Sequence, residues 1–300
     1  MIELNQIRTE RRNPRTEHID QLSTYDMVKL MNQEDHEVPA AVGRELEHIA
    51  QAVDAVYEAL SAGGRLIYIG CGTSGRLGIL DAVECPPTYS TDPDLVVGLI
   101  AGGVPAIFRA AEGAEDDRSQ GAADLKDIQF SQKDILVGIA ASGRTPYVLG
   151  AVEYARSLGA RTVAVSCCPG SQLDQAADIG IAVDVGPEVV TGSTRLKSGT
   201  AQKMVLNMLS TGAMIRLGKV YGNLMVDVKP SNEKLKSRAV SIVCSATGEG
   251  EDTARQALEA CGHEAKTAIV MIQKGLDAQA ARQALAQAGG RVAAALEERG

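Results

Sequence analysis

The sequence predicts an α/β protein in which a doubly wound, five-stranded parallel sheet precedes a small helical region at the carboxyl end. Five short apolar runs rich in β-branched residues are separated mostly by helical patterns, which is typical of a parallel sheet covered on both faces. Right-handed crossovers between such strands make the sheet doubly wound. After "KPSNEKLKSR" the composition shifts to Ala, Glu and Gln punctuated by glycines, which indicates short helices.

Residues 1–54 are predicted to form an N-terminal helical segment. The stretch "STYDMVKLMNQED" contains a short amphipathic helix, for which Ser23 or Thr24 suits the cap position. From Pro39 to about Ser61 apolar residues recur at helical spacing, and Pro39 suits the first turn of that helix.

The sheet domain is predicted over residues 55–220. Its strands are expected at residues 65–69, 95–100, 135–139, 162–166 and 179–183. The later elements are expected to be a long helix at about 198–217, a linker over 221–246 and a small domain of three or four short helices over 247–300. Because ligands of such sheets bind at the carboxyl ends of the strands, the turns after the strands are candidate sites.

Composition argues against several classes of partner. The 300 residues carry a net charge of −8, which argues against nucleic acid or an anionic membrane. No apolar run approaches the roughly 18 residues of a membrane span, and the polar N-terminus has no apolar signal region. The six cysteines form no C-x-x-C pair and no zinc spacing, so we expect reduced thiols and a cytoplasmic location.

A glycine triplet in "IYIGCGTSGRLG" has the spacing of a dinucleotide fingerprint. Gly70, Gly72 and Gly75 follow an apolar run and open a helical pattern. A dinucleotide site also needs an acidic residue at the end of the second strand to bind the ribose hydroxyls, and that strand ends in "AGG". The sequence therefore disfavours a dinucleotide. Since it also lacks a Walker pattern and a metal-ligand cluster, we predict no cofactor and no metal.

Two turns with the same chemistry follow the first and third predicted strands. Each contains Ser-Gly-Arg with a threonine nearby, in "GTSGR" and in "AASGRTP", and a third hydroxyl-rich stretch, "VTGSTRLKSGT", precedes the long helix. Backbone N–H groups at helix starts attract phosphate, and small residues let it approach closely. We therefore predict a site for one phosphate monoester at Gly72, Thr73, Ser74, Gly75, Ser142, Gly143, Thr145, Ser193, Thr194 and Lys203.

The alternative is that these turns are ordinary helix caps and strand–helix connections. The repetition of Ser-Gly-Arg at matching strand ends favours the phosphate site over that alternative. The basic side chains of the three stretches could still be solvated charges on helix surfaces, which is the usual environment of Arg and Lys. They are Arg76, Arg144, Arg195 and Lys197.

Two carboxylates are candidates for acid–base chemistry. Glu84 lies in "ILDAVECPP", and its helix is expected to stop before Pro86 and Pro87. Glu84 would then lie in the last turn, where the helix dipole opposes a negative charge and so suits a proton donor; the alternative is a frayed, solvated helix end. Glu115 lies in the joint between two predicted helices, and the local sequence leaves open whether it faces the first glycine turn.

The strand–"GTSGR"–helix unit and the later "ASGRTP" unit resemble the sugar isomerase (SIS) fold, whose members bind phosphosugars. Over nearly its whole length the chain is similar to the N-acetylmuramic acid 6-phosphate etherase family. The similar blocks are "TERRNPRTEHIDQLST", "GTSGRLGILDAVECPPTYS", "EGAEDD", "GIAASGRTPYV", "EVVTGSTRLKSGTAQKMVLNMLSTGAMI" and "NLMVDV". The sequence departs from the family pattern at Cys71 and Val83, where Ala and Ser are expected, and Val83 adjoins Glu84.

The resemblance implies a lyase of cell-wall recycling. Such enzymes cleave the D-lactyl ether of N-acetylmuramate 6-phosphate with water and release N-acetylglucosamine 6-phosphate and D-lactate. The resemblance also implies a homodimer, and it matches the two acidic active-site residues of the family to Glu84 and Glu115. We assign Glu84 as proton donor to the ether oxygen and Glu115 as base, and the exchanged assignment stays open.

Two other functions are compatible with the same fold. One is a non-catalytic phosphosugar sensor, similar to the glucokinase regulatory protein, and the other is an aldose–ketose isomerase. A regulator would need a partner surface, often a second copy of the domain or a DNA-binding helix pair, and the sequence shows one copy and no basic recognition helix. Release of D-lactate would separate the etherase from both alternatives.

Overall fold

The computed structural model describes residues 8–228 and 232–297. Residues 1–7, 229–231 and 298–300, which belong to the predicted N-terminal segment, linker and C-terminal domain, lie outside the described part. The chain divides into two compact units, one of Met1–Glu84 and Pro93–Ser210 and the other of Cys85–Asp92 and Thr211–Gly300. Each unit contains a hydrophobic cluster of its own.

A five-stranded parallel sheet lies at the centre of the first unit, in the order β2-β1-β3-β4-β5. Its strands are β1 Leu66–Gly70, β2 Val96–Ile100, β3 Ile135–Ile139, β4 Arg161–Ser166 and β5 Ile179–Ala182. Every residue of β1 and β3 is buried, because helices cover both faces of the sheet. The predicted fold class is confirmed, and no strand end differs from its predicted position by more than one residue.

Helices pack on both faces of this sheet. Those that begin in the first unit are α1 Thr24–Asp35, α2 Glu37–Gly43, α3 Leu46–Ser61, α4 Gly72–Tyr89, α5 Pro105–Phe108, α6 Arg118–Asp127, α7 Pro146–Ser157, α8 Gln172–Ala176 and α9 Lys197–Arg216. On one face, Ile67 and Ile69 of β1 belong to a cluster with α6 and α7. On the other, the Tyr68 hydroxyl donates to Asp81 of α4 at 2.8 Å and to the Leu206 carbonyl of α9 at 3.4 Å.

The N-terminal segment contains a helix break that the sequence did not predict. Ser23 caps α1 by accepting a hydrogen bond from the Asp26 N–H at 3.2 Å, as predicted. The single helix expected over residues 39–61 is wrong, because α2 ends at Gly43 and α3 is a separate helix. Glycine is a poor helix former, and the break lets each short helix bury its own apolar residues.

Helix α4 runs through two prolines. The predicted stop before Pro86 is wrong, because α4 continues to Tyr89, and Glu84 is therefore not in its last turn. Proline removes an N–H donor and crowds the preceding turn, but Pro86 and Pro87 lie so close to the helix end that only the last hydrogen bonds are lost. Ser90 then adopts a left-handed conformation with a φ of 52°, which is a common way to end a helix.

The described part of the second unit consists of a hairpin and five helices beyond α9. They are β6 Val220–Tyr221, β7 Leu224–Met225, α10 Glu233–Thr247, α11 Glu251–Ala260, α12 Ala265–Lys274, α13 Ala278–Gln287 and α14 Val292–Leu296. The interval 221–246, expected to be a linker, instead contains β7 and almost all of α10, which Asn232 caps through the Leu235 N–H at 2.9 Å. The domain boundaries themselves stay predictions. No helix in the described ranges could span a membrane.

Candidate active site

The topology of the sheet brings the two Ser-Gly-Arg turns side by side. β1 and β3 are neighbours, and Gly70 at the end of β1 pairs with Ile139 at the end of β3. From β1 the chain crosses first to β2 on one side and then to β3 on the other. Such a switch point leaves a crevice at the carboxyl ends of the strands, where doubly wound proteins bind ligands. The loops after β1 and β3 therefore border one crevice.

Close packing requires two glycines of the first loop. A Cβ atom on Gly70 would lie 2.7 Å from the Gly75 nitrogen, and one on Gly75 would lie 2.6 Å from Ile100 Cγ1. Gly72 differs, because it has a φ of 52° and no atom within 4 Å of an added Cβ. The apparent dinucleotide fingerprint is thus explained by the close approach of α4 to the sheet, and Gly72 faces free space.

A buried hydrogen bond joins the first loop to α9. The Ser74 hydroxyl donates to Gln202 Oε1 at 2.9 Å. A Cβ atom on Gly199 would lie 3.5 Å from Thr73 Cγ2, so the start of α9 also packs against the loop. The structure therefore places the first and third hydroxyl-rich stretches together.

Two buried polar atoms beside this hydrogen bond have no partner within the described residues. They are Ser198 Oγ and Gln202 Nε2, on side chains that are 0% and 1% exposed. Their i,i+4 spacing puts both on one face of α9. An unsatisfied buried donor costs roughly 1–3 kcal/mol, so a ligand or water that satisfies these atoms is favoured. Sequence reasoning missed Gln202, although its spacing from Ser198 was an available signal.

The second loop is anchored on the end of β4. The Cys167 N–H donates to the Ala141 carbonyl at 2.9 Å, and a Cβ atom on Gly143, whose φ is 64°, would lie 2.1 Å from Ser171 Oγ. Thr145 occupies the N-cap position of α7, but its side chain makes no capping hydrogen bond. The Thr145 hydroxyl is therefore not used as an ordinary helix cap and is available to a ligand.

A protein carboxylate occupies the N-terminus of α9. Glu188, which is fully buried, accepts hydrogen bonds from the N–H groups of Lys197 and Ser198, both at 2.9 Å. The expectation that backbone N–H groups at this helix start bind phosphate is therefore wrong for these two amides. Ser193 and Thr194, just before the helix, also have their N–H groups engaged, so they can offer a ligand only their hydroxyls. Sequence reasoning missed Glu188.

The Lys197 side chain lies in a buried ion pair and is not a solvated surface charge. Its Nζ lies 2.8 Å from Glu34 Oε2, and each side chain is 1% exposed. Burial alone would raise the pKa of Glu34, but hydrogen bonds from Lys197 and Asn13 and the charges of Lys197 and Arg15 together lower it. The pair ties α1 to the start of α9.

Two other basic candidates also contact particular groups. Arg76 donates to the carbonyls of Ile107 and Ala106, each at 2.7 Å, so it holds α5 against α4. Lys203 is exposed, and its charge acts on Asp81 near the middle of α4. Burial raises the pKa of Asp81, although hydrogen bonds and the charge of Lys203 oppose that effect. A role for Lys203 in phosphate binding stays a prediction.

Glu115 lies at the first loop. It belongs to a 3₁₀ turn, Ala114–Asp116, and lines a cavity of about 210 Å³ together with Cys71, Gly72 and Arg76. Burial and then the charge of Glu115 raise the pKa of Cys71 to about 12, so this thiol is not a nucleophile at neutral pH. The sequence left open whether Glu115 faces the first glycine turn. In the structure Glu115 lines the same cavity as Cys71 and Gly72 of that turn.

Glu84 lies elsewhere on the same chain. It is exposed and lies ten residues beyond Ser74 on α4, which corresponds to about 15 Å along the helix axis. Its neighbours Leu80 and Val83 are 47% and 57% exposed. The structure therefore brings Glu115, but not Glu84, to the first loop of its own chain.

Comparisons with known proteins agree with this fold. The family described as glucokinase regulatory protein N-terminal SIS domain matches residues 48–156, and the SIS domain matches residues 121–212. A phosphoheptose isomerase from Neisseria gonorrhoeae shares the fold, with a TM-score of 0.50 and 17% identity over 64% of this chain and 98% of that chain. Within residues 8–228 and 232–297 no group of acidic, His and Cys side chains could hold a metal ion. The fold and the loops define a SIS-domain, phosphosugar-binding class of protein.

Full-length relatives narrow this class. N-acetylmuramic acid 6-phosphate etherases from Aliivibrio fischeri and Klebsiella aerogenes are each 59% identical to this chain, over 99% and 98% of both sequences respectively. The etherase from Photorhabdus laumondii is 60% identical over 95% of this chain and 94% of its own. The chain belongs to the N-acetylmuramic acid 6-phosphate etherase family. The predicted resemblance is confirmed, and the regulator alternative is not favoured.

Proposed function

We propose that this chain cleaves the D-lactyl ether of N-acetylmuramate 6-phosphate with water and releases N-acetylglucosamine 6-phosphate and D-lactate. This carbon–oxygen lyase reaction recycles an amino sugar of the cell wall, and we place it in the cytoplasm. The observation that carries the proposal is 59% identity to a named etherase along 99% of both chains. The cavity that joins Glu115 to the first loop supports it independently.

The chemistry requires one base and one acid. Opening of the sugar ring exposes an aldehyde at C1, which acidifies the C–H bond at C2. Glu115 removes the C2 proton, and the electron pair of that bond forms a double bond between C2 and C3. The C3–O bond breaks with its electrons on the ether oxygen, to which Glu84 donates a proton. General acid and base groups each contribute roughly 10²–10⁴-fold in rate.

Hydration completes the reaction. D-Lactate leaves with the former ether oxygen, and water adds to C3 of the unsaturated intermediate. Glu84, now a carboxylate, takes a proton from that water, and Glu115 returns a proton to C2. Both carboxyl groups end in their starting forms, and no electron acceptor is needed. The exchanged assignment of the two residues is compatible with the same sequence of steps.

The hydroxyl-rich loops hold the phosphate in this proposal. Thr73 and Ser74 lie on one side of the crevice, where the Ser74 hydroxyl donates to Gln202 and positions the loop, and Ser142 and Thr145 lie on the other. Hydrogen bonds to a charged group contribute roughly 1.5–3 kcal/mol each, so several of them hold a phosphosugar through its monoester. The remaining predicted binding residues stay part of this proposal: Gly72, Gly75, Gly143, Ser193, Thr194 and Lys203.

We infer that the protein is a homodimer in which the second copy supplies Glu84. Because Glu84 lies about 15 Å from Ser74 along α4, its own first loop is out of reach of its carboxyl group. Leu80 and Val83 form an exposed apolar surface beside Glu84. A twofold dimer presents the same surface of both copies to each other. Burial of this surface against a second copy would bring Glu84 towards the crevice of the partner.

The direct test uses purified protein and N-acetylmuramate 6-phosphate, with D-lactate as the measured product. Release of D-lactate in equal amount to N-acetylglucosamine 6-phosphate is the expected result. Phosphosugar binding without any product would favour the sensor. A ketose without lactate would favour the isomerase, and either outcome would contradict the proposal.

A further inference from the structure

A cavity beside the second loop is lined by arginines. It has a volume of about 330 Å³ and is bordered by Ser142 and by the loop after β4, and its cationic lining residues are Arg8, Arg11 and Arg144. Among the described residues no carboxylate lines it, although the chain contains 38 acidic and only 30 basic residues. The lining of this cavity is therefore positively charged, whereas the protein as a whole is negatively charged.

The cavity at the first loop has a different character. It has a volume of about 210 Å³, and its charged lining residues are Glu112, Glu115 and Arg76, so carboxylates outnumber the single guanidinium. The crevice between β1 and β3 thus has a carboxylate cavity at one loop and a guanidinium cavity at the other.

Two of the three guanidinium groups are unengaged. Arg8 forms an ion pair with Asp184. The side chains of Arg11 and Arg144 make no hydrogen bond or ion pair with any described residue, and both are exposed at the cavity. Each therefore offers the paired N–H donors that suit a phosphate or a carboxylate.

We propose that Arg11 and Arg144 bind the phosphate of the sugar at Ser142, an inference that rests on the proposed function. A phosphate monoester carries a charge of about −1.5 to −2 at pH 7, and the loop hydroxyls supply hydrogen bonds without a formal charge. Three other candidate cations are engaged or lie outside this cavity. Arg76 holds α5, Lys197 pairs with Glu34, and Arg195 lines neither loop cavity.

The position of the phosphate near Ser142 also suits the length of the substrate. The phosphate is on C6, whereas the proton that Glu115 removes is on C2 at the other end of the sugar chain. β1 and β3 are adjacent strands, which lie about 5 Å apart. A phosphate between the two loops, on the Ser142 side of the crevice, therefore lets the opened sugar extend towards Glu115 with its C2 atom.

The test is calorimetric binding of N-acetylglucosamine 6-phosphate, which carries the phosphate but has no lactyl group. Arg11→Gln and Arg144→Gln are each expected to weaken binding by about tenfold or more, which corresponds to one charge-assisted hydrogen bond. Arg11→Lys and Arg144→Lys should restore part of the affinity. Arg12→Gln is the matched control, because Arg12 is 73% exposed and pairs with Glu17 outside the cavity.

The pH dependence of the affinity for N-acetylglucosamine 6-phosphate is a second measurement. A purely structural role of the arginines would not change it. The second pKa of a phosphate monoester is about 6, so wild-type affinity should fall as the pH is lowered through this value. The fall should be smaller in the double Gln variant. Unchanged affinity in both single variants would overturn the inference.

Weakened binding of N-acetylmuramate 6-phosphate alone would also overturn it, because the arginines would then bind the lactyl carboxylate. Binding of the product requires no turnover, so failure of the proposed function is a separate result. A wild-type protein that releases no D-lactate, with arginine variants that bind the product weakly, would contradict the etherase reaction and support the phosphate assignment.

Discussion

Ser74 on the loop after β1 donates its hydroxyl hydrogen to Gln202 Oε1 of α9 at 2.9 Å, and both side chains are buried. The two residues are 128 positions apart in the sequence. This hydrogen bond fixes the first loop against α9. Since Gln202 Nε2 has no partner among the described residues, the same side chain can position the loop with its oxygen and meet a ligand with its nitrogen.

Replacement of Gln202 should therefore affect both stability and binding. Gln202→Leu leaves Ser74 without its acceptor, and we expect a loss of about 1–3 kcal/mol in the free energy of unfolding. The dissociation constant of N-acetylglucosamine 6-phosphate should also rise. Urea unfolding and calorimetry measure the two effects. Gln51→Leu on the exposed face of α3 is the control, and equal behaviour of the two variants would contradict the role of Gln202.

The buried Lys197–Glu34 pair should make stability depend on pH. Lys197→Met leaves the buried Glu34 carboxylate without its lysine but with Arg15 at 2.6 Å and the Asn13 amide at 2.7 Å, so we expect a loss below the roughly 3–5 kcal/mol typical of a buried charge left with no partner. The folded-state pKa of Glu34 lies below its ordinary value of 4.5. The stabilisation by the pair is therefore complete above pH 4.5 and is lost as the pH falls through the folded pKa.

We expect the stability difference between wild type and Lys197→Met to shrink as the pH falls below about 4.5. Unfolding by urea at a series of pH values measures this difference, in which other titrating groups cancel. Lys236→Met is the control, because Lys236 forms an exposed pair with Glu233 that should contribute only about 0–1 kcal/mol. A difference that stays constant down to pH 3 would show that Glu34 does not titrate as described.

Glu115 is expected to be essential for proton removal but not for binding. Glu115→Gln should abolish D-lactate release and the exchange of the C2 hydrogen with deuterated water, because the amide is not a base. Affinity for N-acetylglucosamine 6-phosphate should stay within a few-fold of wild type. Glu58→Gln on α3 is a matched exposed control, and C2 exchange at the wild-type rate in Glu115→Gln would rule out Glu115 as the base.

Mixed dimers test whether Glu84 acts across the subunit interface. Glu84→Gln and Glu115→Gln homodimers should each be inactive. After subunit exchange, a mixed dimer contains one site with native Glu115 from one copy and native Glu84 from the other. Random exchange should then restore about a quarter of wild-type activity, since half of the dimers carry one intact site.

A mixture that stays inactive after verified exchange would place both carboxylates of a site on one chain. Size-exclusion chromatography with light scattering provides the verification of dimer formation. Leu80→Glu and Val83→Glu place charges on the exposed apolar surface, so they should favour the monomer and lower activity together. Full activity in a monomeric variant would contradict the dimer proposal.

Local sequence was sufficient for the sheet and for the hydroxyl-rich loops. The five strands were predicted closely because each apolar run is short, continuous and bounded by turn residues. The proximity of the two Ser-Gly-Arg loops then followed from parallel topology. The end of α4 was not predictable in the same way, because proline preferences are statistical and the last turn tolerates Pro86 and Pro87.

The contacts that complete the site join distant parts of the sequence. Glu188 caps a helix that begins nine residues later, outside the usual capping pattern. Arg11 and Ser142 line one cavity although more than a hundred positions separate them, and no local spacing predicts that arrangement. The exposed position of Glu84 similarly depends on where α4 ends and on which surface is left uncovered.

The central claim is that a carboxylate pair eliminates lactate from C3 and water then adds to the same carbon. Turnover of N-acetylmuramate 6-phosphate in ¹⁸O-labelled water, followed by mass spectrometry of both products, tests it most directly. We predict one ¹⁸O atom in N-acetylglucosamine 6-phosphate and none in D-lactate, because lactate keeps the ether oxygen. Incorporation of ¹⁸O into D-lactate, or no release of D-lactate, would contradict the account.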